Sequence, residues 1–428
     1  MRVGIICSRL GGLDGVSLEV DKWTTVLKRM GHEVYFCVGE KIDEKGSSLL
    51  TGDDYFELKK SHIIPKMSFS TKDNKRIQRI AYGKRHTELR ELIEKNAEEI
   101  KDEIEKWMDR RKIDMLVIQN ASAIPMHLPL GVALGRLVRG NDIPTIAHHH
   151  DFEWERKKYK KMNDVVREYI DEYFPFDHRT VQHVVINKIA EQELYKKKGI
   201  KSLILPNVFM YHGMRNLTDD FNRKFREDFK IKEDEIIAFS PVRVIPRKDL
   251  RTAIRIVSAL NKKLGKKVVL IVSGFTSDVG KPHQRNLMRM AKRLKVKIKF
   301  IHNRIKARRH KKFYSLWDIY PHADIVLYPS KIEGWGNAIG EAIAFKKMLV
   351  VRRYPVYRTD IEPLGFDFIA FNKYCKNVVN NIAHSLNNPK ETQKRVEKNF
   401  KIAKDKISYQ TLRKKLKRII DILMLNYS

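Results

Sequence analysis

Cysteine is scarce in this sequence, and its three cysteines, Cys7, Cys37 and Cys375, lie far apart. Such spacing offers neither a disulfide framework nor a Cys-x-x-Cys pair for a metal ion. Because disulfides mark oxidising compartments, their expected absence predicts a reducing environment, and we expect a cytoplasmic protein.

Long apolar runs are also missing. The sequence has no uninterrupted run of about 18 apolar residues, so we expect no membrane-spanning helix. The first apolar run, from Val3 to Cys7, is too short for a secretory signal and is typical of a first β-strand.

Acidic residues are outnumbered by basic ones. The 86 Lys and Arg residues face 52 Asp and Glu residues, which gives a net charge of +34 and a pI of about 9.9. Such a charge attracts anions, namely nucleic acid, an anionic membrane or phosphorylated small molecules, or it only keeps a lysine-rich surface soluble. No nucleic-acid-binding motif is recognised, so we expect no nucleic-acid partner. Peripheral contact with an anionic membrane stays open.

The 428 residues are 42% hydrophobic, which predicts two or three domains with buried cores at about 150 residues per domain. Apolar strands alternate with helical patterns, as expected for parallel sheets. The predicted strands of the first series begin at about residues 2, 33, 113, 143, 184 and 203, and those of the second at about 236, 268, 296, 324 and 348. A short helix is predicted near 312–320, before the strand at 324.

Pro206-Asn207 interrupts this alternation. We therefore expect an α/β protein with two Rossmann-like domains, 1–206 and 207–405, and a final helix over 406–428. Whether that helix packs back onto the first domain is left open. Two such domains are expected to face each other across a cleft, because ligands of open parallel sheets bind at the carboxyl edge.

The segment from Tyr328 to Ala342 combines two glutamates with glycines. Glu333 follows a predicted strand, and Gly334 and Gly336 allow close approach of the backbone to a ligand. A helix predicted to start near Gly336 directs unpaired N–H groups at the same space, and Glu341 lies about one turn inside it. This arrangement suits a nucleotide-sugar, with diphosphate at the amides and hydroxyls at the carboxylates. An ordinary loop before a solvated helix is the alternative.

A second motif, Pro241 to Asp249, also follows a strand and precedes a helix. Arg243 and Lys248 within it are placed to neutralise a departing diphosphate. The alternative is that these cations only reflect the general basic excess.

Together the two motifs resemble the signature of the retaining GT-B glycosyltransferases of family 4: a strand followed by Arg-x4-Lys, then Pro-Ser-x2-Glu-Gly-x-Gly-x4-Glu-Ala. Leu205-Pro206-Asn207-Val208 and Tyr320-Pro321-His322-Ala323-Asp324 match further family segments. The resemblance extends over essentially the whole chain and implies the GT-B fold, in which two Rossmann-like parallel-sheet domains face each other across a cleft.

The resemblance also implies roles for individual residues. Catalytic roles fall to the leaving-group cations, the sugar-binding glutamate and a histidine of the first domain: Arg243, Lys248, Glu333 and His150. Donor binding falls to residues of the same loop and of a neighbouring strand end: Glu341, Gly334, Trp335, Gly336, Asn337, Ser273 and Gly274. The acceptor or phosphate side falls to Gly12, Asp14, Gly15, His149 and Asp151.

Two of these assignments have alternatives in the sequence itself. His148 and His150 share one face of a strand end, which is also compatible with a metal site or a chance histidine run, although no third cluster of ligands is evident. Asp14 is equally suited to capping the helix that follows. The basic loop Arg304–Lys312 is either a solvated surface or a contact for an anionic acceptor or lipid.

The resemblance implies transfer of a sugar from a nucleoside-diphosphate sugar to an acceptor hydroxyl, with retention of configuration, no cofactor and no metal. The acceptor is left open between a phosphorylated and a lipid-linked molecule. A sugar-nucleotide epimerase or glycan phosphorylase on the same scaffold, and a non-enzymatic polyanion binder, remain alternatives.

Overall fold

The computed structural model describes residues 1–11, 15–42, 61–83, 88–211, 218–275, 281–306 and 309–427. The chain forms two compact units, Met1–Asn207 with Tyr409–Ser428, and Val208–Ser408. The chain therefore leaves the first unit one residue later than the boundary predicted at 206, and the last residues belong to the first unit.

The first unit alternates strands and helices. Its strands are β1 Arg2–Leu10, β2 Glu33–Lys41, β3 His62–Ile63, β4 Met115–Gln119, β5 Thr145–His149, β6 Val181–Val185 and β7 Ser202–Ile204. Its helices up to the boundary are α1 Gly15–Arg29, α2 Lys72–Ile80, α3 Leu89–Arg111, α4 Leu128–Asn141, α5 Asp164–Tyr173 and α6 Lys188–Lys198. Among the described residues, these strands form one parallel sheet in the order β3-β2-β1-β4-β5-β6-β7.

The second unit repeats this plan. Its strands are β8 Ile236–Ser240, β9 Val268–Val272, β10 Lys297–Phe300, β11 Ile305–Lys306, β12 Tyr314–Ser315, β13 Ile325–Tyr328, β14 Met348–Arg352 and β15 Ile369–Phe371. Its helices are α7 Phe225–Asp228, α8 Leu250–Leu264, α9 Lys281–Arg293, α10 Asn337–Ala344, α11 Lys376–Asn387 and α12 Pro389–Lys406. The described part of its main sheet is parallel and ordered β10-β9-β8-β13-β14-β15, and β11 pairs with β12 separately.

Both sheets are covered by helices, so their central strands are mostly apolar and buried. Every residue of β4 and of β9 is buried. In the first unit, Trp107 of α3 and Leu134 of α4 belong to the same buried cluster as Ile118 of β4.

The final helix, α13 Tyr409–Tyr427, packs on α1 and β6 of the first unit. The Lys415 ammonium donates to the Ile204 carbonyl at 3.1 Å, at the open end of β7. This helix therefore completes the first unit, although the whole second unit, Val208–Ser408, separates it from the rest in sequence.

Two details differ from the sequence-based prediction. The edge strands β3 and β15 escape that prediction, because two or three residues are too few to show an apolar period. The helix predicted near 312–320 consists instead of two 3₁₀ turns, Leu316–Asp318 and Tyr320–His322. Pro321 in the second turn has no N–H to donate in a continuous helix.

In each sheet the strand order reverses between the first strand and the fourth, at β1/β4 and at β8/β13. Such switch points open a crevice at the carboxyl ends of the strands, where ligands of open α/β sheets bind. We therefore expect the predicted site residues to lie at these two sheet edges.

Candidate active site

At the switch point of the second unit, an ion cluster joins the loops that follow β8 and β13. The Lys248 ammonium contacts Glu333 Oε1, while Arg247 Nη1 lies 3.0 Å from Glu333 Oε2 and 2.7 Å from the Ile332 carbonyl. The Lys331 amide donates in return to the Arg247 carbonyl at 2.8 Å. The predicted catalytic pair Lys248 and Glu333 is thus brought together, with a second cation beside it.

Burial makes this cluster unusual. The side chains of Lys248 and Glu333 are only 10% and 8% exposed, so water screens their charges little. Burial by itself raises the pKa of the Glu333 carboxyl, but the charges of Lys248 and Arg247 outweigh it and hold that pKa below its ordinary value. Glu333 is therefore an anion already held by two cations.

The loop after β13 turns sharply at Gly336, which has φ +115° and precedes α10. A Cβ at Gly336 would lie 2.5 Å from the Tyr354 hydroxyl and 3.2 Å from Tyr328 Cε1. The Tyr354 hydroxyl itself donates to the Trp335 carbonyl. Glycine is required here both for the backbone angle and for space.

Glu341 lies on the first turns of α10, and its carboxylate is buried. The Tyr320 hydroxyl donates to Glu341 Oε2 at 2.7 Å. Burial, and secondly Glu341, raise the pKa of the Tyr320 hydroxyl well above its ordinary value, so this group keeps its proton and remains a donor. The second glutamate of the motif is therefore also held in place, and one of its partners is a neutral hydroxyl.

The predicted donor residues at the end of β9 approach the Arg243 backbone. A Cβ at Gly274 would overlap the Val242 carbonyl and lie 2.5 Å from the Arg243 amide nitrogen. The Val244 amide donates to the Phe275 carbonyl at 3.3 Å. Ser273 and Gly274 are thus packed against the strand end that carries Arg243.

At the corresponding edge of the first unit, side-chain amides contact histidines. Gln119, the last residue of β4, places its Oε1 2.9 Å from His148 Nδ1 and 3.3 Å from His150 Nε2. The two imidazole rings lie 4.5 Å apart, and Trp23 of α1 stacks on His148 at 4.4 Å. His148 and His150 therefore share a face, as their alternation in sequence predicts.

The loop between β5 and the next 3₁₀ turn is fixed by Asn120. Asn120 Oδ1 accepts from the His150 amide at 2.9 Å, and its Nδ2 donates to Asp151 Oδ1 at 3.0 Å. The other Asp151 oxygen contacts Arg156. Among the predicted acceptor-side residues, Asp151 is thus tied to the end of β4.

His149 points to the neighbouring strand instead. Its Nε2 lies 3.0 Å from His183 Nδ1, and His183 Nε2 lies 3.4 Å from Asp177 Oδ1. Burial is the main cause that lowers the pKa of both His148 and His149 well below the ordinary value. These two side chains are therefore neutral near pH 7.

Other predictions fare differently. Gly15 begins α1, whereas Gly12 and Asp14 lie outside the described residues, so the capping hypothesis for Asp14 stays a prediction. In the basic loop, Arg304 lies 2.7 Å from Asp228, and Arg309 contacts Asp219 and lies 3.1 Å from Asp318 Oδ1. These two arginines thus have partners inside the unit, and contact of the loop with a membrane or an anionic acceptor stays a prediction.

Over the part of the chain that the structure describes, no group of three or more His, Cys, Asp or Glu side chains could hold a metal ion. The same part of the chain has no helix that combines the length and apolar character needed to cross a bilayer.

Sequence analysis does not identify Arg247, Tyr354 or Gln119 as site residues. It also assigns no role to Tyr320. Arg247 stands beside Lys248 in the second motif, and this position is the feature of the sequence that could have identified it as a site residue. Tyr354 and Gln119 act on residues 19 and 31 positions away, and no local pattern reveals such contacts.

Comparison with known proteins agrees with this geometry. The family model for glycosyl transferases group 1 matches residues 221–402, which include both motifs. Mannosylglucosylglycerate synthase of Petrotoga mobilis is 32% identical and aligns over 86% of each chain. Mannosylglucosylglycerate synthase of Thermotoga maritima is 30% identical over 98% of this chain and 99% of its own.

Among solved structures, Anabaena Alr3699/HepE in complex with UDP and glucose has a TM-score of 0.65 at 13% identity, covering 98% of this chain and 99% of that one. The GT-B fold and the family resemblance predicted from the sequence are confirmed, and of the activities left open, glycosyl transfer is the supported one. This chain therefore belongs to the glycosyl transferases group 1 family and is a glycosyltransferase.

Proposed function

We propose that this chain transfers a glycosyl unit from a nucleoside-diphosphate sugar to an acceptor hydroxyl, with retention of the anomeric configuration and without a metal ion or other cofactor. The observation that carries the proposal is the buried cluster of Lys248, Arg247 and Glu333 at the second switch point. In this proposal the diphosphate leaving group binds beside these cations, next to the start of α10. The UDP bound to the Anabaena structure adds support at the level of the fold.

In this mechanism the bond between the anomeric carbon and the diphosphate oxygen breaks while the acceptor oxygen attacks on the same face. The proton of the acceptor hydroxyl passes to the departing phosphate oxygen. Lys248 and Arg243 stabilise the charge that develops on that oxygen, which is the task that a divalent cation performs in other transferases. Because Glu333 is engaged by two cations, it is better suited to orienting donor hydroxyls than to attacking the anomeric carbon.

A finer proposal concerns the substrates. Both curated relatives are named for mannosylglucosylglycerate, and they align over most of this chain. We propose that the transferred unit is mannosyl and that the acceptor is glucosylglycerate, a sugar acid. A carboxylate on the acceptor suits a chain with a net charge of +34.

The test is an assay of the purified chain with mannose linked to UDP, GDP, ADP or CDP and with glucosylglycerate as acceptor. Glucosylglycerol, which lacks the carboxylate, is the matched control acceptor. We expect turnover with one nucleotide, weaker turnover with the control, no effect of a chelator, and a product with the donor's anomeric configuration by NMR.

Each part of the proposal has its own contradicting result. An inverted product excludes retention, and loss of turnover with chelator excludes metal independence. Equal turnover with glucosylglycerol excludes recognition of the carboxylate. Conversion of the donor without any acceptor identifies an epimerase, and salt-sensitive binding of polyanions without nucleotide-sugar binding identifies a polyanion binder.

A further inference from the structure

The Tyr354 side chain connects the strand end after β14 to the backbone of the glycine-rich loop. Tyr354 lies two residues beyond β14, and its side chain is 1% exposed. Its hydroxyl donates to the Trp335 carbonyl, which belongs to the loop that follows the neighbouring strand β13. We infer that Tyr354 is a positioning residue that sets the direction of the Trp335–Gly336 peptide for donor binding; this inference rests on the proposed function.

The geometry of the peptide bond gives this contact its consequence. In a planar trans peptide the carbonyl and the N–H point in opposite directions. A hydrogen bond that fixes the Trp335 carbonyl on the Tyr354 side therefore turns the Gly336 N–H to the opposite side. Gly336 immediately precedes α10, whose first N–H groups have no partner within the helix. The Tyr354 hydroxyl thus orients the Gly336 N–H, which stands just before the unpaired N–H groups at the start of α10.

The tyrosine is itself held rigidly. Its ring makes edge contacts with Tyr328 at 6.3 Å and with Tyr357 at 5.9 Å between centroids. The Lys248 ammonium lies 5.6 Å from the centroid of the Tyr328 ring. The same aromatic cluster therefore supports the loop backbone and adjoins the cation that contacts Glu333.

Gly336 leaves the space that the Tyr354 hydroxyl occupies. A Cβ on this residue would lie 2.5 Å from the Tyr354 hydroxyl, closer than real Cβ contacts come, and φ is +115°. The tyrosine and the glycine are therefore matched: the hydroxyl occupies the space that any side chain at position 336 would need.

The test compares Tyr354→Phe with Tyr314→Phe. Both changes remove one hydroxyl from a buried ring of the second unit, but the Tyr314 hydroxyl donates to Asp228 at 3.0 Å and does not contact the loop. We expect Tyr354→Phe to weaken nucleotide-sugar binding, measured by calorimetry without acceptor, by about tenfold, because one hydrogen bond is lost. The acceptor KM stays unchanged, and Tyr314→Phe changes neither quantity.

A second readout does not depend on any ligand. Hydrogen exchange of the amides over 333–340 is expected to speed up in Tyr354→Phe and not in Tyr314→Phe. Gly336→Ala adds a coupling test: once the Tyr354 hydroxyl is removed, the alanine should cost less affinity than it does in the unaltered chain.

The outcomes separate the two proposals. If the unaltered chain binds no nucleotide-sugar, the proposed donor fails, and equal exchange rates in both variants then overturn the positioning role as well. If the unaltered chain binds donor and Tyr354→Phe binds it equally well, the positioning role alone is overturned. Losses that simply multiply in the double variant also contradict the proposed contact.

Discussion

The two sheets of this protein reverse their strand order at equivalent switch points but place different side chains there. At β8/β13, Lys248 and Arg247 hold the charged carboxylate of Glu333. At β1/β4 and the adjacent β5, Gln119 Oε1 lies 2.9 Å from the ring of the neutral His148, and Asn120 holds the His150 amide and the Asp151 carboxylate. In the second unit two cations therefore surround a buried carboxylate, whereas in the first unit side-chain amides contact histidines and a carboxylate.

The difference follows from what burial does to each kind of group. A buried charge persists only where an opposite charge lies close, as Glu333 has in Lys248. A buried histidine without such a partner loses its proton, and burial lowers the pKa of His148 and His149 in this way. The following changes compare the buried ion cluster of the second unit with the buried neutral histidines of the first.

The largest effect is expected from Lys248→Ala. The variant removes a cation proposed to stabilise the leaving diphosphate and leaves buried Glu333 with Arg247 alone. Removing one such electrostatic group lowers kcat in other enzymes by between about a hundredfold and a thousandfold. We expect a loss of this size in steady-state kinetics at saturating donor, together with weaker binding of the nucleoside diphosphate.

Lys297→Ala is the matched control for this change. Lys297 lies 2.5 Å from buried Glu235 in the same unit, at the β10 edge of the sheet. Its loss should lower the free energy of unfolding while leaving kcat nearly unchanged. A kcat for Lys248→Ala close to that of the control would show that the ion cluster is structural only.

The sequence is informative where function depends on residues close together in the chain. Glu333, Gly336 and Glu341 stand within nine positions, and Arg243 and Lys248 within six, so each group forms a motif that is visible in the amino-acid sequence alone. The alternation of His148 and His150 likewise predicts that they share a face, and their common contact with Gln119 agrees.

The sequence is uninformative where a partner comes from another strand end. Tyr354 meets Trp335, and Gln119 meets His150, only because parallel pairing brings successive strand ends to one edge. Neither residue type carries a signal of its own, since a buried tyrosine or glutamine usually serves packing. The register of the strands, which single-sequence patterns do not give, decides which residues become neighbours.

The second prediction concerns acid and the first unit. His127 caps α4: its Nδ1 accepts from the Leu130 amide at 3.2 Å, and its Nε2 lies 2.8 Å from the Lys66 carbonyl. Burial lowers the pKa of His127 from 6.5 to about 4. Because the unfolded chain takes up the proton more readily, the stability that His127 contributes above pH 6.5 is lost as the pH falls toward 4.

His127→Asn removes this titration and keeps a good capping residue. Between pH 7 and pH 5 the unaltered chain should lose about 2 kcal/mol more free energy of unfolding than the variant, measured by urea denaturation. His384→Asn, at a histidine of α11 that is 56% exposed, should keep the full loss. Equal pH dependence in the unaltered chain and His127→Asn would contradict the lowered pKa of the buried His127.

The third prediction concerns the hydrogen bond between the Tyr320 hydroxyl and Glu341 in the second unit. Tyr320→Phe removes the hydroxyl that donates to Glu341, and we expect donor affinity to fall by about tenfold by calorimetry. Tyr169→Phe is the control in the other unit, where the Tyr169 hydroxyl donates to Glu94 at 2.6 Å. An equal loss of donor affinity in both variants would trace the effect to general destabilisation instead of to Glu341.

The smallest effect is expected from Gln119→Met, which keeps the length of the side chain but removes the oxygen shared by His148 and His150. The bond to His150 is 3.3 Å long and therefore weak, so kcat/KM for transfer should fall only about threefold. Binding of the nucleoside diphosphate without its sugar should not change, because that ligand is proposed to bind the second unit. Gln182→Met, which removes a 2.9 Å bond to the His183 carbonyl, is the control. Weaker diphosphate binding in Gln119→Met but not in Gln182→Met would mean that the edge of the first sheet also contributes to binding of the diphosphate. The proposal that this ligand binds the second unit would then be wrong.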